Sequence, residues 1–172
     1  MADLFFYGTL RHVALLEVVL GRAADTLDLE PACLKDHAVH WARDEVFPLI
    51  LPAGGETAPG VLVRGLGAED IARLSFYEGG FGYGRRIVQL TLENGESASG
   101  EVFFPDPGLW QPGAPWSLED WAARWAGVSC RAAQEVMGYY GRVGAEEIAG
   151  RFASIRRRAA SWVAAQARPA DP

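Results

Sequence analysis

Two kinds of apolar periodicity divide this chain, and the division limits what it can fold into. Residues 1–105 are a succession of short apolar and β-branched runs, each cut by Gly, Pro or acidic residues. From Ser117 onward the apolar residues recur at helical spacing. Strands repeat at period two and helices at about 3.6, so the order predicts an α+β chain with a small, mostly antiparallel sheet or barrel and helices packed outside it. Asp3 to Tyr7 reads as a short buried strand broken by Gly8. Arg11 to Leu20 reads as a helix, with Val13, Leu16 and Leu20 on one stripe and Gly21 as the stop. Residues 26–34, 36–43 and 46–51 read as separate strands, and Pro52 with Gly54-Gly55 as a turn. Gly60 to Leu66 is a further strand, and Glu69 to Glu78 a short helix ending at Gly79-Gly80. Arg86 to Leu92 and Ser97 to Phe104 flank Asn94-Gly95, a strong hairpin signal.

Pro105 to Pro115 holds four prolines and two glycines and reads as a loop. Ser117 then opens a helix, with Asp120 approximating a capping box. Trp121 and Trp125 sit four apart and share a face. Two more helices are expected, at Ser129 to Tyr140 and Ala145 to Ala167. The expected organisation is one domain over 1–172, with a strand-rich core at 1–105 and a helical extension at 117–167 packed on it.

Charge and composition exclude several functions. The net charge of −6 disfavours a nucleic-acid partner. Residues 142–168 carry six Arg against two Glu. That pattern reads first as a solvated helix face and second as a surface for an anion or a protein partner. No run approaches the roughly 20 apolar residues of a membrane helix. The opening MADLFFYGTL carries an acid and only a short apolar run, unlike a secretory signal, so a cytoplasmic location is expected. Cys33 and Cys130 form no CxxC pair and read as free thiols. His37 and His40 lie in a predicted strand and would face opposite sides, so no metal site is expected.

Two segments break the local rules. Tyr7-Gly8-Thr9-Leu10 is a strand that turns sharply into a helix. There the backbone N–H groups of Gly8, Thr9 and Leu10 would face outward beside a helix start, a place that attracts carboxylate or phosphate. An ordinary turn with Thr9 as N-cap satisfies the same residues. The second segment is Leu74 to Arg86, LSFYEGGFGYGRR. Ile71, Leu74 and Glu78 share one helix face, which puts a carboxylate at the end of an apolar stripe. Burial and the helix C-terminus would both raise its pKa, as a general acid/base requires. A frayed helix end with Glu78 in water is the plainer alternative.

Taken together, FFYGTLR and FYEGGFGYGRR resemble the γ-glutamylcyclotransferase-like family, which includes AIG2-like plant proteins and γ-glutamylamine cyclotransferases. The resemblance covers about residues 3–105 and rests on Tyr7-Gly8-Thr9-Leu10, Glu78-Gly79 and Tyr83-Gly84-Arg85 in that order. Ser75 stands where the family often has Asp. The helical tail resembles a bacterial branch. The resemblance implies a compact barrel flanked by helices. It also implies release of 5-oxoproline from a small γ-glutamyl amide, through attack by the substrate's own α-amine, without metal or cofactor. Glu78 would be the general acid/base, and Tyr7, Gly8, Thr9, Leu10, Tyr83 and Arg85 the substrate-binding residues. For Arg85, orienting the loop ranks ahead of substrate contact. The leaving group stays open among an amino acid, a peptide and an amine. The cavity wall is expected to draw on residues 43–58, 79–84 and 105–116. Two other readings of the same pocket are a hydrolase, with water in place of the amine, and a non-catalytic module that binds a small anion or a partner.

Overall fold

A computed structural model describes residues 1–79 and 83–166. Strands β1 (Ala2–Phe6), β2 (Asp28–Ala42), β3 (Pro48–Leu66), β4 (Tyr83–Leu92) and β5 (Ser97–Pro105) hydrogen-bond in the order β3-β1-β5-β4-β2, and β2 pairs back onto β3. The five strands therefore close into a barrel, which leaves no open edge. All neighbours are antiparallel except β1 and β5, which pair in parallel with Leu4 opposite Glu101. A short strand β6 (Pro112–Pro115) adds to the outside of β2, with His40 opposite Pro115.

Alternation along the strands fills the barrel. Phe5, Tyr7, Leu34, Leu62, Leu90, Val102 and Phe104 form an inner cluster drawn from all five strand segments. Leu4, Phe6, Val63, Leu66 and Phe103 point the other way, into the helices. The helices are α1 (Val13–Leu20), α2 (Ala68–Gly79), α3 (Leu118–Met137) and α4 (Ala145–Gln166). Trp121, Ala133, Val136, Ile148 and Ile155 bury their faces in that same outer cluster. Among the described residues no helix is long and apolar enough to cross a membrane.

Four expectations change. The segments read as short strands at 26–34 and 36–43 are one strand, and 46–51 and 60–66 are another. Gly54-Gly55 makes a bulge rather than a turn. Pairing runs from Lys35–Thr57 to His37–Pro52, so residues 53–56 stand outside the ladder. Asp36 adopts φ +56° and Gly55 φ +82°, and the Asp36 carboxylate accepts the Gly55 N–H at 2.9 Å. The displaced backbone is thus satisfied locally and the strands continue. The Pro105–Pro115 segment is not all loop, because β6 docks on β2 and the Trp116 N–H donates to the Val39 carbonyl at 3.0 Å.

The helices expected from Ser117 and from Ser129 are a single helix, α3. One unbroken apolar face runs from Trp121 to Met137, and its burial outweighs the roughly 1 kcal/mol that Gly127 costs a helix. Ser117 caps α3 as expected, accepting the Asp120 N–H at 3.1 Å. Gly80, expected to stop α2, and Ala167, expected to end α4, lie outside the described residues.

Candidate functional site

Helix α2 is fixed before it reaches the site. Asp70 accepts the Gly67 N–H at 2.9 Å, closing the first turn as in a capping box. Arg22 grips the same carboxylate through two N–H groups, at 3.0 and 2.9 Å. Arg73 donates to the Val19 carbonyl at the end of α1, at 2.8 Å. The last turn of α2 therefore emerges in a set direction, and Glu78 sits in it.

The segment after β1 is built differently from the expectation. A single 3-10 turn covers Thr9–Arg11, and α1 starts only at Val13. The helix dipole therefore begins beyond the turn. What the turn offers is donors: among the described residues, the N–H groups of Gly8, Thr9 and Leu10 donate to no protein acceptor. Thr9 is not the N-cap, since Gly8 holds that position before the turn and His12 holds it before α1. Gly8 has φ −111°, so a left-handed backbone does not explain it. Space does, because a Cβ there would lie 2.9 Å from Cγ of Pro48. Gly8→Ala is expected to push the turn and the β2–β3 tip apart, at about 1–3 kcal/mol of stability. Urea denaturation measures it, and an unchanged midpoint would show that the wall yields freely.

These two segments meet. An open cavity is lined by Tyr7, Gly8, Thr9, Leu10, Tyr77, Glu78 and Tyr83. Its remaining wall includes Val46, Phe47 and Pro48 from the β2–β3 tip, Phe103 from β5, Trp121, Ser129 and Ala132 from α3, and Phe152 and Arg156 from α4. Trp121 holds that tip in place, its indole N–H donating to the Val46 carbonyl at 2.9 Å. The cavity borders both layers, with Phe5 and Tyr7 of the inner cluster and Phe6, Leu15 and Trp121 of the outer one in its wall.

The electrostatics follow from the apolar wall. Desolvation raises the pKa of Glu78 from 4.5 to about 7. Tyr7, Tyr77 and Tyr83 are all pushed up, first by burial and then by neighbouring charge that includes Glu78. For Tyr7 the charge of Tyr83 precedes that of Glu78, and the Ile50 backbone hydrogen bond works the other way. These hydroxyls keep their protons at neutral pH and so remain donors facing a carboxyl that titrates near neutrality.

Six of the seven expected site residues thus line one cavity. Arg85 does not. Its guanidinium pairs with Glu101 at 2.7 Å on the outside of the β4–β5 pair. Of the three expected wall segments, 43–58 contributes residues 46–48 and 79–84 contributes Tyr83, while none of the described lining residues comes from 105–116. Helices α3 and α4 supply the wall that sequence reasoning missed. Ser129 and Arg156 carried no local signal, since each reads as an ordinary polar position on a helix.

Elsewhere, His37 and His40 each engage a backbone carbonyl through Nδ1, at 2.8 and 2.9 Å. Among the described residues no group of three His, Cys, Asp or Glu side chains is arranged to hold a metal. The Arg-rich face of α4 is largely paired: Arg151 with Glu147, Arg156 with Glu45, and Arg158 with Glu135.

Comparison with known proteins agrees with the fold. The chain is 27% identical over 124 residues to AIG2-like protein C of Arabidopsis thaliana, covering 69% of this chain and 68% of that one. A solved gamma-glutamyl cyclotransferase shares the fold with a TM-score of 0.57 at 14% identity, over 87% of this chain and 98% of the other. An Arabidopsis thaliana protein solved in solution gives 0.56 at 20% identity, over 82% and 84% of the two chains. Residues 4–123, which hold both the turn after β1 and Glu78, match the family described as gamma-glutamyl cyclotransferase, AIG2-like, and the chain belongs to that family.

Proposed function

We propose that this protein is a γ-glutamyl cyclotransferase, releasing 5-oxoproline from a γ-glutamyl amide with Glu78 as the general acid/base. The observation that carries the reading is that Glu78 and the free N–H groups of Gly8, Thr9 and Leu10 share one cavity. In this reading the three N–H groups hold the α-carboxylate of the glutamyl moiety. The substrate's α-amine then attacks its own γ-carbonyl carbon. The amine passes its proton to Glu78 as the new C–N bond forms. Glu78 returns that proton to the leaving nitrogen as the old C–N bond breaks, so no water is consumed. Because the nucleophile is part of the substrate, holding it folded against its electrophile supplies much of the rate, up to about 7–11 kcal/mol of barrier for well-oriented intramolecular reactions. Tyr7 and Tyr83 line the same space as neutral donors and orient the reacting amide.

A mass screen of γ-glutamyl amides tests the reading. Release of 5-oxoproline is expected. Release of free glutamate would mean hydrolysis, and no turnover of any amide would leave only a binding site. The pH profile adds a second check. The first step needs Glu78 ionised, so kcat/KM should rise with pH through about 7, the pKa that burial gives this carboxyl. A profile already flat from pH 5 upward would assign the proton transfer to another group.

A further inference from the structure

The charge on the cavity wall points to the leaving group. Among the described lining residues Glu78 is the sole carboxylate and Arg156 the sole cation. Arg156 comes from α4, beyond the 4–123 segment that the family shares. Its Nη1 donates to Glu45 at 3.1 Å, and both side chains are about a third exposed, at 33% and 28%, which puts them at the rim. Only Nη1 is engaged among the described residues, so four of the five N–H donors of a guanidinium remain.

We infer that Arg156 is a specificity-determining residue that selects γ-glutamyl amides whose leaving amine carries a carboxylate, as an amino acid or peptide does. The inference rests on the cyclotransferase reading. A γ-glutamyl amide offers its own α-carboxylate to the turn at Gly8–Leu10, which leaves the far end of the molecule without a partner. The wall around it is mainly aromatic and aliphatic, built from Phe47, Pro48, Trp121 and Phe152. Filling such a space strips water from the guanidinium, which is unfavourable unless the ligand supplies an anion in return. A carboxylate matches the planar fork of the guanidinium, and Glu45 already shows that this position accepts one. A neutral alkylamine offers nothing to the donors of Arg156 that Glu45 leaves free, and a polyamine sets like charges together.

Two matched amides test this. γ-Glutamyl-alanine and γ-glutamyl-ethylamide differ only by the carboxylate. The wild type should prefer the first in kcat/KM by about ten- to a hundredfold, the worth of one charged hydrogen-bonded contact, with most of the difference in KM. In Arg156→Gln the ratio should collapse to near one, and Arg156→Lys should fall between. Glu45→Gln breaks the ion pair but leaves the cation, so it should keep the preference. If Arg156 were only a strut for the β2–β3 tip, Glu45→Gln and Arg156→Gln would behave alike, and the inference fails. A wild-type ratio near one overturns it without any variant. If the wild type yields 5-oxoproline from neither amide, the cyclotransferase reading falls, and this inference with it.

Discussion

Glu78→Gln is expected to cut 5-oxoproline release by about 10²–10⁴-fold while making the protein more stable. The first half follows from the proposed chemistry. Gln has the shape of Glu but accepts no proton from an amine, and the loss of a positioned general acid/base has about that size. Substrate binding should survive, since the anion-holding donors are backbone N–H groups at Gly8, Thr9 and Leu10.

The second half follows from linkage. The Glu78 pKa is about 7 in the folded protein against an ordinary 4.5. Between those values the native state holds a proton that the unfolded chain has released, so stability falls as pH rises across the window. Above pH 7 the full penalty applies, on the order of 1–2 kcal/mol once partial solvation of the side chain is allowed for. Gln carries no such penalty. Its melting temperature should therefore exceed that of the wild type at pH 8 by about 2–8 °C and match it more closely at pH 5. Differential scanning calorimetry at both pH values measures this. A variant less stable at pH 8 would mean that Glu78 is ionised and well solvated, and the strained carboxyl would have to be abandoned.

The second large effect is structural. Trp121 is fully buried, at 0% exposure, and is among the largest side chains so placed. Trp121→Ala removes an indole from the cluster that joins α1, α3 and the outer barrel face. The lost burial and the cavity left behind should cost about 3–5 kcal/mol. Trp121→Phe separates packing from positioning. It keeps most of the ring but drops the indole donor, leaving the Val46 carbonyl without that partner. Stability should then fall by only about 1–2 kcal/mol. The β2–β3 tip, which forms the Val46–Phe47–Pro48 wall, would no longer be anchored to α3, so KM should rise more than kcat falls. Chemical denaturation and steady-state kinetics on the pair report the two effects. Equal kinetic constants in wild type and Trp121→Phe would show that the tip holds itself in place.

Much of the barrel was legible because its signals are local. The apolar run before Gly8 and the Asn94-Gly95 turn announce β1 and the β4–β5 hairpin, and Gly95 indeed adopts φ +86°. The continuity of β2 and β3 was not legible. Pro52 and Gly54-Gly55 carry the composition of a turn, but the ladder resumes beyond them and the Asp36 carboxylate meets the Gly55 N–H across the bulge. The unity of α3 was hidden for a similar reason, since Gly127-Val128-Ser129 weakens the helix signal and the buried face that overrides it is tertiary. The candidate site divides the same way. Tyr7 to Leu10 and Glu78 stand out as breaks in local pattern. Arg85 sits in the same kind of motif, yet it pairs with Glu101, diagonal to it on β5, away from the cavity. Ser129 and Arg156 join the wall only through the packing of α3 and α4.

The parallel pairing of β1 with β5 has a bearing on how the molecule comes into being. Strand β1 leaves the ribosome before the other described strands, yet its two neighbours, at Val63 and at Glu101, lie far downstream. Hairpins β2–β3 and β4–β5 each join strands adjacent in sequence and so close short loops, whereas seating β1 against β5 closes the longest one in the barrel. The Gly8–Leu10 turn hangs from the end of that strand. The hollow that would receive a substrate thus has no floor until the barrel is shut, and a partly made chain carries the residues of the site without the site.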